Sequence, residues 1–210
     1  MTAPGRFITL EGGEGAGKST QARLLAEALR DAGHSVTETR EPGGAPGAEA
    51  LRTLLLHGPT TFTPEAETLL HVAARAEHLA RTIRPALAGG QWVVCDRFAD
   101  STMAYQGYGL GVDRTMIATL AALLEPKPDL TLMLDVSAAT AAARLASRGR
   151  AADRYETLDP TFHERVRRGF RTIAATAPER CITIDGNNPP AAVHTAILAA
   201  VQARFGGAAK

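Results

Sequence analysis

Short strand-like runs, most of them apolar, alternate with longer amphipathic stretches along almost the whole chain. The apolar runs have the length of buried strands, and the stretches between them have the length and spacing of helices. This alternation is typical of a parallel sheet with helices on both faces, so we predict an α/β fold with a five-stranded parallel sheet. The predicted strands are 7–11, 35–40, 91–95, 130–135 and 181–185. The predicted helices lie near 18–32, 48–57, 64–84, 114–125, 138–147, 159–175 and 190–204.

No repeat or linker divides the sequence, so we expect a single domain over 1–210. In sheets of this kind, ligands bind beyond the carboxyl ends of the strands. This rule selects four candidate segments for a binding site: 12–20, 40–44, 96–97 and the residues after Asp185.

The segment Gly-Gly-Glu-Gly-Ala-Gly-Lys-Ser-Thr, which begins at Gly12, matches G-x-x-x-x-G-K-[ST]. It follows an apolar strand and opens a helix, where glycines let backbone N–H groups converge on the phosphates of a nucleotide. The alternative is a merely glycine-rich turn, and the strand and helix argue against it. We expect Lys18 to reach the β- and γ-phosphates and Ser19 to help hold Mg²⁺. The candidate ATP contacts here are Gly12, Gly13, Glu14, Gly15, Ala16, Gly17, Lys18, Ser19 and Thr20.

Glu14 is unusual in this loop, because a carboxylate inside an anion-binding loop repels phosphate. Two interpretations stay open from the sequence. Glu14 either points into solvent, or faces a cation or a substrate hydroxyl.

Two further polar motifs follow predicted strands. Arg40-Glu41-Pro42-Gly43-Gly44 forms a tight turn, which we expect to fix Arg40 over the site. Asp96 and Arg97 end an apolar strand, where Asp96 can hold Mg²⁺ or its water and Arg97 can bind a phosphate with two hydrogen bonds.

The segment 147–155 separates two predicted helices with glycine and closely spaced charges. We predict a lid that brings guanidinium groups over the nucleotide, since added positive charge accelerates phosphoryl transfer. A solvated connection between helices is the alternative.

Two other groups of polar residues have less specific patterns. His71, Arg75 and His78 fall on one face of the predicted helix 64–84, and this spacing alone predicts a solvated stripe. The segment 101–107 places hydroxyls, an amide and a phenol close together, which is enough polarity to recognise a base.

Composition is ordinary for a soluble globular protein, with 45% hydrophobic and 21% charged residues. The net charge of +1 gives no reason to expect nucleic acid or a membrane surface as a partner. The first residues lack a signal-peptide pattern and no apolar run is long enough to span a bilayer, so we expect a cytoplasmic protein. Cys95 and Cys181 lie in apolar runs, which predicts buried, reduced thiols.

Taken together, these motifs resemble the thymidylate kinase family, whose members phosphorylate dTMP to dTDP with ATP. The resemblance implies a P-loop NTPase-type sheet with a short lid, ATP as co-substrate, Mg²⁺, a homodimer and a place in dTTP biosynthesis. It covers nearly the whole chain in order. It is carried by Glu11 to Thr20, Arg40 to Gly44, Ala73-Ala74-Arg75, Asp96-Arg97, Ser101-Thr102 with Ala104 to Gly107, Pro128 to Thr131 with Leu134-Asp135-Val136, and Asp153-Arg154-Tyr155-Glu156.

The resemblance also implies a role for each of these residues. Arg97 and Arg40 would surround the dTMP phosphate, and Arg75 and Thr102 would read the thymine edge. Tyr105 would lie against the sugar, where a ribose 2′-hydroxyl would clash. The implied catalytic residues are Lys18, Glu14, Arg97 and Arg154. ATP would also contact Arg144 and Arg148, and the metal would be bound by Asp96 together with Ser19. The rest of the dTMP site would be formed by Pro42, His71, Ser101 and Gln106.

Two features of the sequence bear on this resemblance. The phosphate loop has Gly15-Ala16 rather than an arginine, and Arg148, Arg150 and Arg154 lie in the lid, so the chain resembles the bacterial type with lid arginines. His71 stands where the family usually has a phenylalanine that stacks on thymine. Because imidazole titrates near pH 6.5, this difference predicts weaker dTMP binding below roughly pH 6.

Two alternative functions stay open. The acceptor could be another nucleoside monophosphate or a nucleoside. A nucleotide-switch protein is a less favoured alternative, because a GTPase would carry a guanine-reading Asn-Lys-x-Asp run that this sequence lacks.

Overall fold

The computed structural model describes residues 5–147 and 154–206, and within them it confirms the predicted parallel sheet. All strand pairs are parallel, and the strand order is β2-β3-β1-β4-β5. The strand bounds agree with the predicted ones to within one residue. They are β1 (Phe7–Glu11), β2 (Val36–Arg40), β3 (Trp92–Asp96), β4 (Leu130–Asp135) and β5 (Cys181–Asp185).

The described helices follow the predicted order, with two differences. The predicted helix 64–84 is interrupted by a π-helical turn at Leu79–Ile83. The sequence pattern also predicted no helix at 99–109, where a short α-helix, Ala99–Thr102, leads into a second π-helical segment, Met103–Gly109. A π-helix has more residues per turn than the 3.6-residue period, so its side chains do not follow that pattern. The α-helices are α1 (Lys18–Asp31), α2 (Pro46–His57), α3 (Pro64–His78), α4 (Arg84–Ala88), α5 (Ala99–Thr102), α6 (Arg114–Ala122), α7 (Ala138–Ala146), α8 (Pro160–Thr176) and α9 (Pro190–Phe205).

Both faces of the sheet are covered, which explains why β1 is buried along its whole length. Successive side chains of a strand point to opposite faces. Ile8 and Leu10 therefore pack with α1 and α9, whereas Phe7 packs with Leu79 and Ile83 on the other face. The central strand thus carries the phosphate loop on a rigid, fully buried support.

Helix α8 lies close against the π-helical segment Met103–Gly109. Tyr105 packs in one cluster with Phe162, Val166 and Phe170. A Cβ atom at Gly169 would lie 2.8 Å from the ring of Tyr108, so glycine permits this close approach. The packing fixes the segment that contributes Tyr105 and Gln106 to the site.

Both cysteines are buried and form no disulfide, as the sequence predicted. Every helix among the described residues is too short or too polar to cross a bilayer.

Candidate active site

The carboxyl ends of β1, β2 and β3 open into a cavity of about 500 Å³. The cavity brings together residues from distant parts of the chain, including most of those that the sequence selected. From the predicted site, the lining includes Glu14, Lys18, Ser19, Thr20, Arg40, Pro42, His71, Arg75, Asp96, Arg97, Ser101, Thr102, Tyr105 and Gln106.

Glycines let the phosphate loop lie directly against its neighbours. Gly12 and Gly15 have φ values of 140° and 69°, which L side chains rarely adopt. A Cβ atom at Gly12 would collide with the carbonyl oxygen of Leu134, and one at Gly15 would lie 2.7 Å from that of Ala141. The loop is therefore built against β4 and α7.

Lys18 is buried within this loop, and its ammonium group donates a hydrogen bond to the carbonyl oxygen of Gly13 at 2.7 Å. Burial, together with the positive charge of Arg97, lowers the pKa of Lys18 to about 8. An anion bound in the loop would raise it again.

Ser19 and Asp96, the two predicted metal residues, are in contact. The hydroxyl of Ser19 donates to Oδ2 of Asp96 at 2.5 Å. The other carboxylate oxygen, Oδ1, is buried and has no hydrogen-bond partner within the described part of the chain. A hydroxyl and a carboxylate are hard oxygen ligands that suit Mg²⁺, which takes its remaining ligands from phosphates and water.

Arg97 has a left-handed backbone, with φ of 70°, and among the described residues it is the one non-glycine with positive φ. Hydrogen bonds on both sides hold this conformation. The N–H of Arg97 donates to Leu10, and the N–H of Phe98 donates to the buried carboxylate of Glu11 at 2.7 Å. Burial, followed by the charge of Asp100, raises the pKa of Glu11 to about 7.

Glu14 faces a cation, which decides between the two interpretations of its position. Its carboxylate lies 2.5 Å from the guanidinium of Arg97 and accepts a hydrogen bond of 2.8 Å from the hydroxyl of Tyr105. The guanidinium also lies over the ring of Tyr105, at 5.0 Å from its centroid. Arg97 therefore compensates the negative charge that Glu14 adds to the loop.

The prediction of a solvated stripe on α3 is wrong, because Arg75 is 3% exposed and His78 is fully buried. The carboxylate of Glu41 covers this face, accepting from Nε of Arg75 at 2.8 Å and lying 3.0 Å from Nδ1 of His78. Arg75 also donates to the hydroxyl of Thr102 at 2.8 Å. A buried carboxylate thus holds the arginine beside the threonine with which it was predicted to act.

His71 lines the cavity, and its Nε2 lies 3.0 Å from the hydroxyl of Tyr155. Burial lowers the pKa of His71 to about 3, with further lowering by Arg75, Arg97 and Arg154. This pKa contradicts the assumed titration of His71 near pH 6.5, on which the expected loss of dTMP binding below roughly pH 6 was based.

Arg40 is the last residue of β2, and Pro42 lies in the turn that follows. Arg40 is half exposed and forms an ion pair of 3.1 Å with Glu49, so a cavity ligand can reach it without desolvating a buried group. Arg52 donates a hydrogen bond to the carbonyl oxygen of Pro42 at 2.7 Å, and the Glu41–Pro42 peptide bond is cis.

The predicted arginines after β4 differ in position. Arg144 lies outside the cavity lining and donates to the carbonyl oxygen of Gly186 at 2.8 Å, which ties α7 to the segment after β5. Arg148 and Arg150 lie outside the described residues, as does most of the predicted lid 147–155. Arg154 is described, and its guanidinium lies 3.1 Å from the carboxylate of Glu67.

Four residues hold the others in place but received no role from the sequence: Glu11, Glu41, Glu67 and Tyr155. Glu11, Glu41 and Tyr155 belong to motifs that carry the family resemblance, so their positions were visible but their burial was not. Glu67 precedes His71 by four residues and Arg75 by eight, which places all three on one helix face. That spacing was the one signal for Glu67.

The thymidylate kinase family model matches residues 10–197 of the chain. The chain is 54% identical to the thymidylate kinase of Gluconobacter oxydans over 205 residues, which covers 96% of each protein. It is also 54% identical to that of Rhizorhabdus wittichii over 202 residues, covering 94% of this chain and 97% of the relative. The crystal structure of thymidylate kinase from Ehrlichia chaffeensis superposes with a TM-score of 0.78 at 38% identity, covering 95% of this chain and 100% of that one.

Proposed function

The chain belongs to the thymidylate kinase family, and on that premise we propose that it transfers the γ-phosphoryl group of ATP to dTMP. The products are dTDP and ADP, and the reaction supplies dTDP for dTTP synthesis. The observation that carries the proposal is the cavity in which Arg75, Arg97 and Tyr105 stand next to the phosphate loop.

On the donor side, the phosphate loop holds ATP and Lys18 neutralises its terminal phosphates. Ser19 and Asp96 hold Mg²⁺, which supplies positive charge to the phosphates when bound. Arg144 contacts ATP beside the loop. The position of its guanidinium, 3.4 Å from the carbonyl oxygens of Gly15 and Ala16, supports this role.

On the acceptor side, Arg97 and Arg40 bind the phosphate of dTMP, while Arg75 and Thr102 face the thymine edge. The hydroxyl of Tyr105 already lies against Glu14 and Arg97, and its ring limits space around the sugar. The rest of the dTMP site is lined by Pro42, Ser101, Gln106 and His71.

The reaction needs positioning and positive charge more than a base. The acceptor phosphate has a second pKa near 6, so it is largely ionised at neutral pH. The difficulty is to bring two anions together, and the arginines and Lys18 offset that repulsion. Glu14 holds Arg97 against Tyr105, so it acts on the acceptor side rather than on ATP alone.

The chain is a single domain in which 147–155 forms a lid, and Arg154 and Arg148 of this lid complete the charge around the transferred group. The protein is a homodimer, as the family resemblance implies. It acts in the cytoplasm.

A coupled assay with ATP and a panel of acceptors tests the proposed substrate. The acceptors are dTMP, dUMP, dCMP, TMP with a ribose sugar, and thymidine. We expect kcat/KM to be highest for dTMP and to fall for the ribose analogue because of Tyr105. A higher kcat/KM for another monophosphate would assign the chain to that acceptor, and activity with thymidine alone would make it a nucleoside kinase.

A further inference from the structure

We propose that Glu67 is a positioning residue that holds the lid arginine Arg154 beside the acceptor cavity. The inference rests on the proposed function, because it takes Arg154 to act on the transferred phosphoryl group. Glu67 lies on α3, distant in sequence from the lid, and its carboxylate connects α3 to the C-terminal end of the lid.

The carboxylate of Glu67 is buried and binds the lid end with both oxygens. Oε1 accepts a hydrogen bond of 2.6 Å from the hydroxyl of Tyr155, and Oε2 lies 3.1 Å from Nη2 of Arg154. Nε2 of Gln106 donates to Oε1 at 3.0 Å. Two consecutive residues of the lid end are therefore fixed to the first turn of α3.

Arg154 is the cation that compensates Glu67. The glutamate is 1% exposed, and within the described residues its ion pair is with Arg154. A buried carboxylate without its cation is strongly unfavourable. This cost disfavours conformations of the lid end in which Arg154 has swung into solvent.

The guanidinium of Arg154 contacts Glu67 through one of its two terminal nitrogens. Its Nη2 faces Glu67, whereas Nη1 is buried and has no hydrogen-bond partner in the described part of the chain. A guanidinium has five donors in a fixed fork, so the pair with Glu67 leaves the donors of Nη1 unused. Arg154 does not itself line the cavity, and an anion would reach Nη1 only after the atoms that cover it move, while Nη2 can stay on Glu67.

The same network reaches the acceptor cavity through Tyr155. Its one hydroxyl proton goes to Glu67, so its oxygen accepts from Gln106 at 2.9 Å and from His71 at 3.0 Å. This assignment places the ring proton of His71 on Nε2. Both Gln106 and His71 line the cavity, so one network joins the acceptor wall to the lid arginine.

Glu67→Gln tests the inference, because it keeps the shape and the oxygen that accepts from Tyr155 but removes the charge facing Arg154. We expect kcat to fall roughly 10- to 100-fold, as for a misplaced catalytic group, with the KM for dTMP nearly unchanged. Glu65→Gln is the matched control, since Glu65 lies exposed in the same helical turn. It should leave both constants unchanged.

A double-mutant cycle separates a positioning role from a structural one. Arg154→Ala alone should lower kcat by about 100-fold or more. If Glu67 acts through Arg154, adding Glu67→Gln to Arg154→Ala should lower kcat no further. Multiplicative losses would overturn the inference, and so would an unchanged or raised kcat in Glu67→Gln.

Glu67→Asp provides a second variant should Glu67→Gln not fold. It keeps the charge but withdraws the carboxylate from Arg154, so kcat should fall while dTMP binding persists; an unchanged kcat would overturn the inference. Failure of the proposed function looks different, because the wild-type protein itself would then not phosphorylate dTMP. Normal turnover by Arg154→Ala would reject the lid arginine and this inference together, and leave the dTMP kinase activity standing.

Discussion

At the scale of single residues, a glutamate carboxylate accompanies four of the described arginines of the candidate site. Each glutamate limits the positions of its arginine and reduces the charge repulsion among the arginines before substrate binds. A substrate phosphate then meets cations that are already oriented. The pairs are Arg97 with Glu14, Arg75 with Glu41, Arg40 with Glu49, and Arg154 with Glu67.

The lowered pKa of Lys18 predicts a proton linkage to ATP binding. The pKa is about 8 in the ligand-free protein, and bound phosphates favour the charged ammonium and raise it. At roughly pH 8.5, ATP binding should therefore take up protons, whereas near pH 6.5 Lys18 is already protonated and contributes none. Isothermal titration calorimetry in buffers of different ionisation enthalpy measures the uptake. Heats at the higher pH that do not depend on the buffer would contradict the shift.

The lowered pKa of His71 predicts that its charge state does not affect dTMP binding in the neutral range. A pKa of about 3 leaves the imidazole uncharged throughout, so the ratio of dTMP dissociation constants for wild type and His71→Phe should stay constant between roughly pH 5.5 and 8. Taking this ratio removes the titration of the substrate phosphate. If the ratio instead rises below pH 6, because the wild type binds dTMP more weakly there, His71 becomes charged in that range.

At the scale of elements, the sequence predicted those whose side chains follow a simple period. Strands β1, β3, β4 and β5 were found because their short runs contain buried apolar residues and end in polar ones, whereas β2 has one apolar residue, Val36, and was found as a strand-like run between two helical stretches. The segment Met103–Gly109 was recognised as polar but not as helical, because π-helical winding has a different period. Helix α3 was found, yet its polar face was taken as solvated. Periodicity identifies a face but does not reveal that Glu41, from another element, covers it.

The contact between α8 and Met103–Gly109 predicts that Gly169→Ala destabilises the protein. Alanine favours a helix over glycine by about 0.5–1 kcal/mol. The added methyl group would lie 2.8–2.9 Å from the side chain of Tyr108, however, and overpacking typically costs about 1–3 kcal/mol. We expect a lower free energy of unfolding in denaturant titration.

Gly47→Ala in α2 is the matched control for that substitution. There the new Cβ atom would meet the side chain of Glu77, whose carboxylate lies 3.1 Å away and can move. This variant should be neutral or slightly more stable. Equal stability changes in the two variants would show that helix propensity, rather than the contact with Tyr108, decides the outcome.

At the scale of the whole molecule, the candidate site depends on strand order. The adjacency of β2, β3 and β1 brings Arg40, Asp96 and Gly12 to one edge of the sheet. The alternation of elements predicted a parallel sheet and a site at this edge, but not which strands are neighbours. That order depends on long-range packing, as do the contacts between Glu67 and residues 154–155. For this reason, the residues that line the cavity could be predicted from the sequence more completely than the buried residues, such as Glu67, that hold them in position.

The central claim is that the γ-phosphoryl group of ATP passes to dTMP and to no water molecule. The most direct test is ³¹P NMR of a reaction containing the wild-type protein, Mg²⁺, ATP and dTMP, followed over time beside a sample without dTMP. We predict that dTDP and ADP form in equal amounts, that inorganic phosphate stays near background, and that ATP persists in the sample without dTMP. Release of inorganic phosphate at the same rate in both samples, without dTDP, would contradict the account.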